Sequence, residues 1–212
     1  MEVVIAGGHG RIALRLTREL TGRGDRVRSL IRNPAHAGDV REAGGDAVIA
    51  DLESSGDELA LVVGRADAVV FAAGAGPGSG PARKETVDYG AAVKMIRAAK
   101  ANGIRRYVIV SSIGADAGAE GGEMGPYFRA KGRADDVLRE SGLDFTIVRP
   151  GHLTDQPGTG LVTLGASVGS GDIPRGDVAS VIAAALNQTA TIGQTFEVVG
   201  GATPIEAALA SI

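Results

Sequence analysis

Tyr127 and Lys131 stand four residues apart in a stretch of helical periodicity, an interval that places a phenol and an ammonium on one helix face. A positive charge beside a phenol favours its ionised form. Such a tyrosine can pass a proton to or from a substrate oxygen while a hydride moves to or from a cofactor. Ser111 and Ser112 end the apolar run at 107–110, where a hydroxyl would orient that oxygen. These four residues are the catalytic candidates. The competing reading is a decorative surface pair, because Tyr and Lys four apart are common on helices. What sets this pair apart is the Ser-Ser strand end before it and a glycine motif at the head of the chain.

That motif is Gly7-Gly8-His9-Gly10-Arg11-Ile12-Ala13, directly after the apolar run at 3–6. Gly7 permits a tight turn, Gly10 lets the backbone approach a pyrophosphate, and Ala13 is small enough for a helix to press against a sheet. The helix start adds free N–H groups and partial positive charge for the phosphates. Strand, glycine turn and helix in that order predict dinucleotide binding. The second strand ends in Leu30-Ile31-Arg32-Asn33, without the Asp or Glu that NAD-preferring sites place there for the ribose hydroxyls. A guanidinium offers a planar fork to a phosphate, so Arg32, helped by Arg11, points to the 2′-phosphate of NADP over NAD. A solvated charge at a strand end is the plainer reading of Arg32. Asp51 and Leu52, after the third strand, are placed to meet the adenine, and Asp51 reads equally well as a capping residue. The fourth strand runs into Ala73, Gly74 and a Gly/Pro tract reaching Pro81. Small residues at a strand terminus let a flat cofactor lie against backbone, and the tract is either a flap or a loop without a role. His9 falls in the phosphate loop, His36 in a surface helix and His152 after the sixth strand. They form no metal set, and no carboxylates cluster at a metal spacing.

Such residues need alternating strands and helices to hold them. Short β-branched runs at 3–6, 27–31, 47–50, 68–72, 107–110 and 145–148 have the length and apolarity of strands buried on both faces of a parallel sheet. Between them, 11–22, 83–102 and 127–141 carry apolar residues three and four apart with charges between, the helical pattern. Asn33-Pro34 reads as an N-cap followed by Pro at the first helical position, and Gly22, Gly44, Gly103 and Gly142 read as helix C-caps. After Pro150 the rhythm loosens into a strand at 161–164, a helix at 174–187, a strand at 196–199 and a helix at 204–210. The expected fold is α/β, a doubly wound parallel sheet (Rossmann fold), built as one domain from residues 1–212 with 151–212 a small elaboration on the substrate side. The ligand crevice of such a sheet lies beyond the carboxyl ends of its strands, where the strand order reverses.

Composition excludes other classes. Glycine supplies 33 of 212 residues, about twice its average share, against seven Phe and Tyr and no Trp. The glycines have no three-residue period, which excludes collagen, and stacking residues are too few for an aromatic nucleic-acid platform. A hydrophobic content of 44% suffices for a sizeable core. The net charge of −3, from 22 basic and 25 acidic residues mixed along the chain, concentrates no polyanion. Nucleic acid and anionic membrane are therefore not expected partners. Absence of Cys excludes disulfides, thiolate metal sites and cysteine nucleophiles and fits a reducing compartment, with the cytoplasm the expected location. The first residues lack the basic region and apolar length of a signal peptide, and no run approaches the ~18 apolar residues of a membrane span.

GGHGRIA, IRNP, FAAGAG, VDYGAAVKMIRAAKANGIRRYVIVSSIGAD and YFRAKGRADDVLRESGLDFTIVRPGHLTDQPGTG together resemble the atypical short-chain dehydrogenase/reductase family. Within it they are similar to the NAD(P)H-binding branch that includes biliverdin reductase B and the NmrA-like proteins. The resemblance continues through IPRGDVA and TFEVVGG and covers nearly the whole chain. It implies that Gly7, His9, Gly10, Arg11 and Ile12 hold the pyrophosphate, Arg32 the adenosine phosphate, Asp51 and Leu52 the adenine, and Ala73 and Gly74 the ribose. Ser111, Tyr127, Lys131 and the segment Pro150, Gly151, His152, Leu153 would then surround the nicotinamide, with Lys131 also a ribose ligand. Only about sixty residues follow Pro150, fewer than extended members devote to a substrate domain, so a small or flat substrate is expected in place of a sugar nucleotide. The expected activity is NADP-dependent hydride transfer to or from a small carbonyl, quinone-like or tetrapyrrole-like compound. Two alternatives stand beside it: an NADP(H)-sensing regulator that signals to a protein partner through loops at 74–81 and 114–125, and an epimerase or dehydratase-like isomerase with a retained nicotinamide.

Overall fold

The computed structural model describes residues 1–54, 56–76 and 78–212; Pro77, inside the Gly/Pro tract, lies outside them. Strands form where the continuous apolar runs stand: β1 (Glu2–Ala6), β2 (Arg26–Ile31), β3 (Asp46–Ile49), β4 (Ala68–Phe71), β5 (Arg106–Val110) and β6 (Asp144–Pro150). The tail adds β7 (His152–Thr154), β8 (Leu161–Gly165), β9 (Asp172–Pro174), β10 (Gln194–Gly200) and β11 (Thr203–Pro204). One nine-stranded sheet runs β11-β8-β10-β6-β5-β4-β1-β2-β3. It is parallel from β3 to β10 and closes at one edge with β8 and β11 antiparallel. β7 and β9 pair separately. Val3 lies opposite Val27 of β2 on one side and Ala68 of β4 on the other, so the strand order reverses at β1. The crevice expected of the fold therefore opens between the carboxyl ends of β1 and β4.

Helices cover both faces. They are α1 (Arg11–Gly22), α2 (Ala37–Glu42), α3 (Gly56–Val63), α4 (Gly80–Arg83), α5 (Ala92–Ala101), α6 (Gly125–Arg139), α7 (Arg175–Asn187) and α8 (Ile205–Leu209). Alternation along β1 divides the core. Val3 and Ile5 join the cluster that contains Leu16 of α1 and Ile182 of α7, while Val4 and Ala6 join Leu59 of α3, Met95 of α5 and Leu138 of α6. Ile12, Ala13, Leu16 and Leu20 recur at helical spacing and form the buried stripe of α1. Among the described residues no helix is long and apolar enough to cross a membrane.

Three differences from the sequence reading bear on the site. The helix expected at 83–102 begins at Gly80, and between α4 and α5 the segment Lys84–Ala91 widens into π-helical turns. Such bulges are frequent at functional sites; this one buries Val87 and Asp88. Gly22 is not a cap: it belongs to α1 and keeps the helical sign of φ, and the left-handed position is Gly24, at φ +92. Gly44, Gly103 and Gly142 do adopt left-handed φ. α3 was not foreseen, because Leu59-Ala60-Leu61-Val62-Val63 is apolar without a period and reads neither as helix nor as strand.

Candidate functional site at the β1–β4 crevice

β1 delivers the chain to Gly7, whose φ of +78 turns it sharply. A Cβ on Gly7 would lie 2.7 Å from Ala73 Cα, so only glycine lets this turn touch the end of β4. Gly8, given no role by the motif, is held as tightly: its Cβ would sit 2.5 Å from Ser29 Cβ on β2. The Gly10 N–H donates to Gly7 O at 2.8 Å, closing the turn. α1 then starts with no side-chain cap and no acidic residue in its first turn. Its first amides have no intrahelical acceptor and carry the positive end of the helix dipole, so the crevice opens on a ready anion site that fits a dinucleotide diphosphate. Ile12 is 8% exposed in the core and has only its amide to offer. The Arg11 guanidinium donates to Asp155, a carboxylate that Arg175 also meets at 3.1 Å. His9 Nε2 lies 2.6 Å from Asp39 Oδ2, and the His9 ring stacks on His36 at 3.6 Å between centroids.

Gly7, His9, Gly10, Arg32, Asp51, Leu52, Ala73 and Gly74 line one cavity of about 450 Å³, a size typical of small-molecule sites. Four strand ends, those of β1 to β4, bring them together. Asp51 both caps and lines: its Oδ1 accepts from the Glu53 N–H at 2.9 Å, and the turn so formed walls the cavity. His36, Glu53 and Arg83 line it as well. Sequence reasoning missed these three, since His36 reads as a surface residue and the other two as ordinary charges of a turn and a helix.

The catalytic candidates lie outside the lining of that cavity. Tyr127 is partly buried in the first turn of α6, its ring flanked by Lys84 Nζ at 5.2 Å and Lys131 Nζ at 5.9 Å from the centroid. Lys131 is only 3% exposed. Its Nζ donates to Val110 O at 3.0 Å and stands 3.3 Å from Asp88 Oδ1. Both partners are interior, so in this arrangement the ammonium is not offered to a ribose. Asp88 is fully buried; its Oδ2 accepts from the Ala75 N–H at 3.2 Å, while Oδ1 makes no hydrogen bond of good geometry despite the approach of Lys131. One carboxylate thus ties Lys131 to the chain just past β4. The signal for Asp88 was present, an acid between Val87 and Ala91 on the face that the helix buries.

Ser111 is 2% exposed and donates to Asp135 Oδ2 at 2.9 Å. Arg149 closes on the same oxygen through Nε at 3.0 Å and Nη2 at 2.8 Å. Burial pushes the Asp135 carboxyl up, against the pull of Arg149 and Ser111. Ser111 is therefore bound to α6 and is not the exposed orienter expected of it; the more accessible hydroxyl is that of Ser112, which donates to Ile113 O at 3.0 Å. Pro150, Gly151, His152 and Leu153 line no part of the cavity. Pro150 O accepts from the Ile113 N–H at 3.1 Å, joining the ends of β5 and β6. A Cβ on Gly151 would lie 2.2 Å from Gly171 O, so glycine is needed where the chain leaves β6 for its pairing with β9. The His152 imidazole is exposed beside Asp172, and Leu153 packs on the core under α1 and α7. Both loops expected over the crevice are bonded to their neighbours. Lys84 Nζ donates to Gly76 O at 2.6 Å, and Arg129 Nη1 donates to Ala119 O at 2.8 Å.

A protein family described as NAD(P)H-binding matches residues 7–189. The uncharacterized sugar epimerase YhfK of Bacillus subtilis (strain 168) is 37% identical over 211 residues, 99% of each chain. Among solved structures, a Bacillus halodurans protein provisionally described as a NAD-dependent epimerase/dehydratase superposes with a TM-score of 0.94 at 40% identity, covering 100% of both chains. The oxidoreductase ylbE from Lactococcus lactis follows at TM-score 0.89 and 28% identity, covering 100% of this chain and 96% of that one. The matched span includes the glycine turn, the ends of β2, β3 and β4, Tyr127 and Lys131. With a reversing parallel sheet and an uncapped helix start at its switch point, the chain belongs to the NAD(P)H-binding family, on a Rossmann-like fold.

Proposed function

We propose that the protein is an NADP(H)-dependent oxidoreductase of the short-chain dehydrogenase/reductase type, acting on a small carbonyl, quinone-like or tetrapyrrole-like compound. The observation that carries this reading is the uncapped start of α1 at the switch point, in one cavity with Arg32 at the end of β2. The turn Gly7 to Gly10 and the first amides of α1 would hold the diphosphate, Arg32 the 2′-phosphate, Asp51 and Leu52 the adenine, and Ala73 and Gly74 the ribose. When bound, the reduced nicotinamide supplies a hydride. Tyr127 gives a proton from its phenol oxygen to the acceptor oxygen, with Lys84 Nζ 5.2 Å and Lys131 Nζ 5.9 Å from its ring centroid. Ser112 orients the acceptor, while Ser111 holds α6 in place through Asp135.

Calorimetry with both cofactors tests the first half. Arg32→Asp should weaken NADP binding far more than NAD binding, and an unchanged ratio discards the assignment. NADPH oxidation against a panel of carbonyls, quinones and linear tetrapyrroles tests the second, and a Tyr127→Phe variant as active as wild type removes the tyrosine from the mechanism. The names of the Bacillus relatives favour a second reading, epimerase chemistry on a retained nicotinamide. That reading predicts a protein purified with nucleotide already bound and no net consumption of NADPH.

A further inference from the structure

The inference rests on the NADP reading and concerns what completes its phosphate site. Arg32 is not alone at the cavity wall. Arg83, the last residue of α4, reaches the same place from across the crevice, and both guanidinium groups converge on one oxygen, Glu53 Oε2, at 3.6 Å and 2.5 Å. Glu53 stands on the turn after β3 that Asp51 caps. Among the described residues, two cations therefore share a single carboxylate at the edge of a ligand-sized cavity. The side chains are open to solvent, 64% exposed for Arg32, 41% for Arg83 and 25% for Glu53. Ion pairs so placed are screened and open readily. A phosphate monoester carries close to two negative charges and three acceptor oxygens, enough to engage both guanidinium forks where the carboxylate engages them through one oxygen.

We propose that Arg83 is the second half of a clamp for the 2′-phosphate of NADP, and that Glu53 is a placeholder that keeps the clamp assembled and yields to the phosphate. The same carboxylate can accept a hydrogen bond from the free 2′-hydroxyl of NAD. Glu53 therefore sets the discrimination between the two cofactors, working against the arginines. Sequence position gives no hint of this: Arg83 lies 30 residues from Glu53, on the opposite side of the crevice.

Calorimetric titration of the full chain with NADP and with NAD tests the clamp on wild type, Arg32→Met, Arg83→Met and Glu53→Gln. All three side chains are partly exposed, so the variants fold. Arg83→Met should weaken NADP about tenfold or more, the worth of one charge-assisted contact, and leave NAD within about twofold. Glu53→Gln should raise the NADP-to-NAD affinity ratio about threefold or more. The clamp is overturned if Arg83→Met shifts both cofactors equally or neither, or if Glu53→Gln leaves the ratio in place. Arg32→Met separates the two levels of argument. If it also leaves the ratio unchanged, the NADP reading itself fails; if it lowers the ratio while Arg83→Met does not, only the clamp fails.

Discussion

Gly132 lies inside α6 and Gly22 is the last residue of α1, and replacing each by alanine should move stability in opposite directions. Alanine is favoured over glycine within a helix by about 1 kcal/mol. At Gly22 an added Cβ meets nothing within 4 Å, so Gly22→Ala should stabilise by about 0.5 to 1 kcal/mol. At Gly132, in the middle of α6, the Cβ would stand 2.2 Å from both the Ala117 nitrogen and the Asp116 carbonyl carbon. Ordinary contact begins near 3.4 Å, and because both partners are backbone no rotamer change relieves the overlap. Overpacking costs about 1 to 3 kcal/mol, and a double backbone contact belongs at the upper end. Set against the helical gain, Gly132→Ala should lose about 2 kcal/mol. Urea unfolding followed by far-ultraviolet circular dichroism reads both as midpoint shifts at constant slope. Gly24→Ala is the third arm: its Cβ has open space but its φ is +92, so a loss of about 1 kcal/mol there reports backbone strain without crowding. A Gly132→Ala protein at least as stable as wild type would refute the packing of the 114–125 loop on α6.

Two further changes test the interior and the surface. Tyr107 is fully buried on β5, its hydroxyl has no hydrogen-bond partner among the described residues, and burial pushes its phenol up. Tyr107→Phe removes a desolvated hydroxyl and no bond, so thermal or urea unfolding should show a gain of about 1 kcal/mol; a loss would show that the hydroxyl is bonded. The Arg105 guanidinium holds the Asp144 carboxyl below the usual carboxylate range. A folded pKa below the unfolded value of about 3.9 adds stability that is complete above that pH and is lost as pH falls through the folded value. Asp144→Asn should therefore be less stable than wild type at pH 6 and converge with it in acid, whereas an offset that persists at all pH values contradicts the linkage.

The features legible in the sequence are those fixed by neighbours in the chain. The runs at 3–6 and 107–110 announce buried strands because every residue in them is apolar, and Gly7 announces its turn because left-handed φ is a local demand. Glu53 and Arg83 were not legible, because their meaning lies in partners supplied by other elements. Those partnerships depend on how the crossovers set one helix against another, which a hydrophobic period does not encode. Ser111 shows the intermediate case. Its type and place fit an orienting hydroxyl, yet Asp135, 24 residues on, accepts its hydrogen bond. That competitor sits four residues after Lys131, on the face of α6 that packs toward β5, so the helical spacing that drew attention to Lys131 pointed equally to Asp135.

Charge is held differently in the two halves of the crevice, and the difference assigns them different work. Around Arg32, Glu53 and Arg83 the pairs are exposed, each worth about 0 to 1 kcal/mol, so an arriving anion can rearrange them. Lys131 and Asp88 are buried, and removing one partner of such a pair costs about 3 to 5 kcal/mol. The cavity wall at Arg32, Glu53 and Arg83 is therefore held by replaceable contacts, and Lys131, beside Tyr127, by a buried one. Asp88 balances Lys131, whereas Lys84, closer to the ring, gives its hydrogen bond to the neutral Gly76 carbonyl. Among the described residues Lys84 has no ion-pair partner, so a Tyr127 that works as an acid should depend on Lys84 as well as on the Lys131 that its helical spacing singles out.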